Sequence, residues 1–186
     1  MNYVAHIYLS GNHDEVKLGN FIGDSVKGRQ HQDYPEFIGK GILLHRAIDD
    51  FTDRHPIYRV SKNRFQPGYR KHAGIIADIL YDHLLLKNWN RYSLEPIDRF
   101  IRHIYVISIL NLPILPGRVQ KFLPFMITRN WLGSYKTLEG IDSIFQRMAK
   151  RTSLPAESDF AIRIIKEHYN SFYKEFNEFF TELIKF

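Results

Sequence analysis

One short segment of the chain places histidine and aspartate at helical spacing. Within residues 41–53, His45, Asp49 and Thr52 fall on one stripe of a helix with about 3.6 residues per turn, and Asp53 lies beside that stripe. A histidine and an aspartate four residues apart can bring an imidazole nitrogen and a carboxylate to one cation. A surface helix with a His–Asp pair and a solvated acidic end would show the same pattern. Spacing alone therefore makes His45 and Asp49 candidate metal ligands and leaves both interpretations open.

A second pair of carboxylates lies in an apolar segment. Asp78 and Asp82 are four residues apart within residues 74–86, and they share a helix face with Ile75 and Leu85. The segment is apolar nearly all round, which predicts a buried helix with two carboxylates directed into the interior. Because unpaired charge is costly to bury, such carboxylates normally coordinate metal or meet cations. Salt bridges to buried arginines, or a His–Asp hydrogen bond, are the alternatives.

Two smaller features could complete such a site. Asn20 and Asp24 are four residues apart in a segment whose glycines permit close helix packing. His6 lies in the otherwise apolar segment 5–10. A lone histidine on an apolar face is more often a hydrogen-bonded core residue. His6 therefore becomes a ligand candidate only if its segment packs against the carboxylate helices.

Apolar residues recur at intervals of three and four along nearly the whole chain. This pattern predicts an all-α fold, a single-domain helical bundle over residues 1–186, with the site motifs in 1–90 and a helical extension over about 93–186. No repeat, low-complexity tract or domain linker interrupts it. The predicted helices cover about residues 12–27, 35–53, 74–89, 93–110, 137–148 and 157–184.

Capping residues mark the predicted ends of several helices. Asn12 and Glu15 resemble a capping box, and Thr137 is a suitable N-cap. The adjacent His13 and Asp14 fall in the first of these turns, where Asp14 suits the helix dipole. This doublet is therefore interpreted as a capping feature and not as part of the site.

Composition limits the chemistry and the partners. The 186 residues include no cysteine, which excludes disulfides, zinc–thiolate sites and cysteine nucleophiles, so any metal must be held by His, Asp, Glu or Asn. The formal net charge of +6 indicates an acidic partner: nucleic acid, an anionic membrane or an acidic protein. The N-terminus lacks the features of a signal peptide, and no apolar run approaches the roughly 18 residues of a membrane span. We expect a cytoplasmic protein.

Motifs spread over the first 90 residues resemble those of the bacterial acyl carrier protein phosphodiesterases. They are Asn2-Tyr3-Val4-Ala5-His6, the run from Gly19 to Gly28, Gly41-Ile42 with His45 to Asp49 and Thr52-Asp53, and Asp78 to His83 with Asn88-Trp89. The resemblance implies a hydrolase that removes 4′-phosphopantetheine from holo-acyl carrier protein and leaves the apo-protein. It also implies a divergent HD-domain-like fold and a divalent metal, Mn²⁺ foremost, with Mg²⁺ or Fe²⁺ as alternatives. In place of the adjacent His-Asp pair of HD proteins, His45-Arg46 stands in this chain.

Positions that match the family are Asp24, His45, Asp49, Asp78, Asp82 and His6. Our mechanistic hypothesis is that His45, Asp49, Asp78 and Asp82 supply the metal ligands. Asp24 or His6 would complete the ligand set or activate water. Arg46 would pair with the phosphodiester, and His83 would orient a carboxylate or protonate the leaving serine oxygen.

A basic stretch follows the His45 helix and consists of Arg54, Arg59, Lys62, Arg64, Arg70 and Lys71. It is either a solvated face or a docking surface for holo-acyl carrier protein, which is acidic. Two other functions stay open: a metal-dependent phosphohydrolase acting on nucleotides or small phosphodiesters, and a non-catalytic helical module that binds carrier protein or RNA. For the latter, Tyr58, Phe65 and Tyr69 lie among the basic residues. We expect no nucleic-acid or membrane partner, and the sequence does not decide the oligomeric state.

Overall fold

Helices make up the regular structure of the computed structural model, which describes residues 2–186. No strand occurs among these residues, so the predicted all-α fold class is confirmed; the HD-domain likeness stays a prediction. None of the helices in this part of the chain combines the length and apolar character that a bilayer span requires. The α-helices, numbered α1 to α12 in chain order, span Tyr3–Leu9, Asp14–Ile22, Glu36–Arg54, Pro56–Asn63, Gln66–Tyr69, Ala73–Lys87, Ile97–Leu110, Gly117–Thr128, Trp131–Ser134, Leu138–Ala149, Ser158–Glu167 and Tyr169–Leu183.

The helices that carry the main site motifs match their predicted bounds closely. α3 begins at Glu36, directly after Pro35, whose carbonyl accepts the first backbone hydrogen bond. α6 is buried along most of its length, as its apolar composition predicts. Thr137 caps α10 by accepting a hydrogen bond from the Gly140 amide. Local sequence signals are therefore sufficient to locate these three elements.

The predicted ends of α2 are wrong at both termini. The helix begins at Asp14 with His13 as N-cap, and no side-chain capping bond forms there, so Asn12 and Glu15 do not make a capping box. It ends at Ile22, because the chain tightens into a 3₁₀ turn over Gly23–Ser25 instead of continuing to about residue 27. Asp24 consequently lies in a turn and not on the helix.

Two later boundaries also differ from the prediction. α7 begins at Ile97 and not at Ser93, because Pro96 lacks an amide hydrogen and restricts the residue before it. The predicted C-terminal helix is two helices, α11 and α12, separated at His168. Apolar periodicity continues through this break, so spacing alone does not reveal it. The backbone of His168, with φ −113° and ψ 19°, leaves the helical region there.

The chain divides into two compact helical units, each built from separate segments. The histidine unit comprises residues 3–49 and 89–133. The aromatic unit comprises residue 2 with 50–88 and 134–186. The expected single domain over the whole chain stays a prediction.

Close packing of α2 on α3 in the histidine unit depends on two glycines. A Cβ atom on Gly19 would lie 2.0 Å from the carbonyl oxygen of Ile38, and one on Gly41 would lie 2.2 Å from that of Val16. Both distances are far shorter than van der Waals contact, and the opposing atoms belong to the backbone, so no larger residue fits. The expected role of glycines in close helix approach is confirmed.

The core of the aromatic unit is built from rings on α4, α6 and α12, together with Phe65 between α4 and α5. Tyr81 packs edge-on against Tyr58 and Phe176, with centroid distances of 5.6 and 5.4 Å. Phe65 stacks on Phe172 at 5.3 Å. Since such ring pairs each add about 0.5–1.5 kcal/mol beyond area burial, they contribute to the stability of this unit.

Candidate metal centre

Four of the predicted site residues meet in the histidine unit. The rings of His6 on α1 and His45 on α3 stack with centroids 4.1 Å apart. Asp49, one turn after His45, approaches both: its Oδ1 lies 3.2 Å from His6 Nε2 and its Oδ2 lies 3.2 Å from His45 Nε2. Asp24 Oδ1 lies 3.4 Å from the same His45 nitrogen. His6 is thus brought to a carboxylate of α3, whereas packing of its segment against α6 stays a prediction.

Asn20 fixes the orientation of both imidazole rings. Its amide nitrogen donates to the carbonyl of His6 and to Ser10 Oγ, which leaves Oδ1 facing His6 Nδ1 at 2.8 Å. Its backbone carbonyl faces His45 Nδ1 at 2.9 Å. Because both partners are acceptors, each Nδ1 must carry the hydrogen. In the neutral form, each Nε2 then bears a lone pair.

These two Nε2 atoms carry the argument for a cation. Both are buried and form no well-aligned hydrogen bond within residues 2–186, although carboxylate oxygens lie 3.2–3.4 Å away. Lone pairs facing carboxylates repel, so the arrangement requires positive charge between them. Two ligands each about 2.1 Å from one ion, at an angle near 100°, stand about 3.2 Å apart. The ligand atoms of His6, His45 and Asp49 lie within 4.8 Å of one another, and they fit a divalent ion that accepts nitrogen and oxygen ligands.

A proton can supply the same positive charge in the metal-free protein. Burial acts to lower the pKa of His45, but the carboxylates of Asp24 and Asp49 outweigh it and raise that pKa to about 9. His45 in turn holds the pKa of Asp24 below its usual value. Partial burial of Asp49 acts against ionisation, yet the two imidazoles lower its pKa strongly. Burial lowers the pKa of His6, which keeps that ring neutral.

The turn after α2 brings Asp24 and His45 together. A Cβ atom on Gly23 would lie 2.3 Å from Cγ of His45, so only glycine lets the ring occupy this position. The 3₁₀ turn Gly23–Ser25 then directs the Asp24 side chain to the cluster while leaving it largely exposed. Asp24 is therefore the acidic group of the cluster with the greatest access to solvent.

Basic and phenolic groups lie around the same turn. Arg46 Nη2 donates to the Val26 carbonyl at 3.0 Å, which anchors the backbone after Asp24. The pKa of Tyr3 is raised to about 12, first by burial and then by the Asp24 carboxylate, while Arg118 acts in the opposite direction. Tyr3 thus lies within electrostatic range of both charges. The expected pairing of Arg46 with a phosphodiester stays a prediction.

The three candidates on α6 belong to the aromatic unit. Asp78 accepts a hydrogen bond of 2.6 Å from the Tyr58 hydroxyl, and Asp82 is completely buried. His83 is also buried, with Nδ1 donating to the Tyr135 carbonyl at 2.7 Å. Burial lowers the pKa of His83, so its ring is neutral near pH 7. The burial of this helix is confirmed, whereas the metal roles of Asp78 and Asp82 and the acid role of His83 stay predictions.

Part of the basic stretch is engaged within its own unit. Arg64 forms a two-pronged ion pair with Glu175, with both N–O distances at 2.6 Å, and Ser61 donates to the same carboxylate. Arg54 pairs with Asp50 at 2.6 Å. Such pairing reduces the net positive charge that this stretch can present to a partner. Its role as a docking surface stays a prediction.

Sequence interpretation did not identify the function of Asn20. The sequence shows the spacing of Asn20 and Asp24. It does not show that Asn20 accepts hydrogen bonds from two histidines, because that depends on how α1, α2 and α3 cross. An asparagine between Gly19 and two apolar residues is the sequence feature that could have indicated it, since an amide in an apolar segment needs hydrogen-bond partners.

Comparison with known proteins points to a single family. The family model described as acyl carrier protein phosphodiesterase matches residues 1–183. A protein named acyl carrier protein phosphodiesterase from Yersinia enterocolitica is 31% identical over 185 residues, covering 99% of this chain and 96% of its own. Proteins of the same name from Yersinia pestis and an Enterobacter species are 30% and 31% identical, covering 100% and 99% of this chain and 96% of their own lengths. No solved structure matches the chain significantly.

Proposed function

Because the chain belongs to the acyl carrier protein phosphodiesterase family, we propose that it hydrolyses the phosphodiester linking 4′-phosphopantetheine to a serine of holo-acyl carrier protein. Water adds to phosphorus, the bond from phosphorus to the serine oxygen breaks, and the serine takes up a proton. The products are apo-carrier protein and free 4′-phosphopantetheine. The reaction needs an activated water, stabilisation of the phosphoryl oxygens and a proton for the leaving oxygen.

The observation that supports metal dependence is the pair of bare Nε2 atoms sharing one carboxylate. His6, His45 and Asp49 would hold a divalent cation, with Mn²⁺ foremost and Mg²⁺ or Fe²⁺ as alternatives. When bound, such a cation supplies a lowered pKa for its water and offsets charge on the phosphoryl oxygens. Asp24, held ionised by His45 and accessible to solvent, would complete the ligand set.

The side chains around the cluster suit the remaining tasks. Asn20 keeps both imidazoles in the tautomer that binds a cation through Nε2. Arg46 adjoins His45 in the chain, from where its guanidinium would pair with a phosphoryl oxygen. Asp78 and Asp82 are proposed as metal ligands, and His83, whose neutral ring is a weak acid, as the group that orients a carboxylate. The metal content of Asp78→Asn, Asp82→Asn and His83→Gln tests these roles.

The partner would be recognised through charge. The net charge of +6 complements an acidic carrier protein, so nucleic-acid binding is not needed to explain this charge. A phosphohydrolase of nucleotides and a non-catalytic module are the competing functions. Turnover of nucleotides in place of holo-carrier protein would favour the first, and a metal-free protein without turnover would favour the second.

The decisive experiment follows conversion of holo- to apo-carrier protein by mass spectrometry, with Mn²⁺ and with EDTA. Asp49→Asn should lower conversion and Mn²⁺ affinity by about 10–100-fold or more. Asp50→Asn is the matched control, since Asp50 is the next residue and pairs with Arg54 one turn later on the same helix. Asp24→Ala should abolish release of phosphopantetheine while helicity is retained.

Each outcome bears on a different part of the proposal. Conversion that persists unchanged in EDTA would contradict the proposed metal dependence but would leave the proposed phosphodiesterase activity intact. If Asp24→Ala turned over substrate at the wild-type rate, Asp24 would have no role in the reaction. Absence of conversion by the metal-loaded wild-type protein would overturn the function itself.

A further inference from the structure

A groove of about 500 Å³ lies within the histidine unit, and its lining begins at Ser25, the residue that follows Asp24 in the chain. We call it the Ser25 groove. One wall is formed by the chain from Ser25 to Pro35, directly after Asp24, and the other by Ile114 and Pro116 before α8. Its volume is in the range of about 300–1,000 Å³ that is usual for small-molecule sites. The groove therefore has room for a ligand whose reacting end lies at Asp24.

The lining of the groove is mixed and carries little charge. Val26, Ile114 and the two prolines provide apolar surface. Ser25 and Tyr34 provide hydroxyl groups, and Gln30 provides an amide. The Gln30 carbonyl oxygen accepts from the Lys27 amide at 3.0 Å, so its amide nitrogen is the atom left to donate to a ligand.

The charge of the lining disfavours a polyanion. Asp33 is the charged side chain on this surface, and no lysine or arginine lines the groove itself. Nucleic acid in the groove would meet this carboxylate and no cation among the lining side chains, whereas phosphate binding requires cations. Lys27 and Arg29 belong to the same wall segment, but neither lines the groove. Arg46 bonds to the Val26 carbonyl, and Arg118 acts on Tyr3 together with Asp24. The lining itself is therefore suited to a neutral ligand.

Pantetheine has the chemistry that this surface suits. It is a neutral chain with two amides and a hydroxyl, which pair with groups such as those of Ser25, Gln30 and Tyr34, and a dimethyl-substituted carbon that suits Ile114. Its one anionic group is the phosphate, at the end joined to the carrier protein. Resting on the proposed function, we infer that the Ser25 groove binds the pantetheine arm of the substrate while its phosphodiester lies at Asp24.

The test fills the groove from an exposed position. Ile114 is 42% exposed, so Ile114→Trp adds volume to the groove without altering the core. Ile109→Trp is the matched control: Ile109 is 52% exposed, lies in the same unit, and does not line the groove. Titration calorimetry with free 4′-phosphopantetheine should give about tenfold weaker binding for Ile114→Trp and wild-type affinity for Ile109→Trp. Melting temperatures of both variants verify folding.

Turnover separates this inference from the function on which it rests. For holo-carrier protein, Ile114→Trp should raise KM by about tenfold, and Ile109→Trp should behave as wild type. Wild-type conversion together with unchanged binding and KM in Ile114→Trp would refute the groove and leave the phosphodiesterase intact. If the wild-type protein did not convert holo-carrier protein, both the proposed function and this inference would be refuted. Equal losses in both tryptophan variants would also refute the groove, since only one of them lines it.

Discussion

At the scale of single residues, Asn20 stands out because it sets the tautomer of two histidines at once. Its side-chain oxygen accepts from His6 Nδ1 and its backbone oxygen accepts from His45 Nδ1. Asn20→Ala removes the first acceptor and frees the His6 ring to exchange its tautomer. We expect Mn²⁺ affinity to fall by about 10–100-fold, as is usual when a group that orients a metal ligand is lost. Calorimetric titration with Mn²⁺ measures the change.

A buried asparagine also contributes to folding, so the control must separate the two effects. Asn12→Ala alters an exposed asparagine of the same unit and should leave Mn²⁺ affinity unchanged. Nitrogen chemical shifts of the His6 ring in Asn20→Ala should show a mixture of tautomers, which a purely structural role would not produce. Wild-type Mn²⁺ affinity in a folded Asn20→Ala variant would show that the orientation of His6 is fixed by other contacts.

Protons and metal compete for the same atom of His45. The pKa of about 9 means that the metal-free protein carries a proton on this ring at pH 7, which the metal must displace. Apparent Mn²⁺ affinity should therefore rise as pH increases towards 9. Titrations in buffers of different ionisation enthalpy should show proton release at pH 7 and little above pH 9. A pH-independent affinity over this range would contradict the raised pKa.

The stability of the metal-free protein should change in the opposite direction. A folded-state pKa above the usual 6.5 stabilises the fold fully below pH 6.5, and this contribution is lost as pH rises through about 9. The pKa values of Asp24 and Asp49 are lowered, so their contributions are lost only in acid and are constant in this window. In EDTA, the melting temperature should fall between pH 6.5 and 9, and His45→Gln should lack this decrease.

At the scale of elements, the 3₁₀ turn after α2 determines whether the cluster can assemble. Gly23→Ala would place a methyl group 2.3 Å from the His45 ring, so the ring or the turn must move. We expect a loss of about 1–3 kcal/mol in the free energy of unfolding, typical of overpacking, together with weaker Mn²⁺ binding. Denaturant unfolding and metal titration measure both.

Gly117→Ala is the matched substitution in the same unit. A Cβ atom there meets nothing within 4 Å, and the backbone does not need glycine. It should leave both stability and metal binding near wild type. Equal behaviour of the two variants would mean that the turn adjusts without cost, and that Gly23 is not required by the ring.

Sequence patterns predicted elements better than they predicted the contacts between them. α3 and α6 follow from periodicity because their faces are continuous, and Thr137 follows from local capping chemistry. The break at His168 does not, since periodicity runs through it and separate packing of α11 and α12 decides it. Likewise the His45–Asp49 pair is visible as an i, i+4 spacing, whereas the approach of His6 depends on how α1 crosses α3. Contacts between helices that are distant in the chain are the part of the structure that could not be predicted from this one sequence.

At the scale of the whole molecule, the excess of positive charge should govern association with the carrier protein. Raising NaCl from about 50 to 300 mM screens charges separated by more than a Debye length. KM for holo-carrier protein should therefore rise several-fold while kcat stays constant, because steering affects encounter more than chemistry. Hydrolysis of a small phosphodiester by the same preparation is the control and should be nearly insensitive to salt. A KM that does not change with salt would indicate recognition through apolar or shape contacts.

The proposed ligands come from three successive segments: His6 from α1, Asp24 from the turn after α2, and His45 and Asp49 from α3. His6 and Asp49 lie at the two ends of this stretch, so a cation held by both would cross-link roughly the first quarter of the chain. Chelation should then be felt far beyond the bound atoms, as faster amide hydrogen exchange throughout α1 and α2. In the cell, metal supply would set not only the activity of this protein but also how readily its N-terminal helices open to proteases.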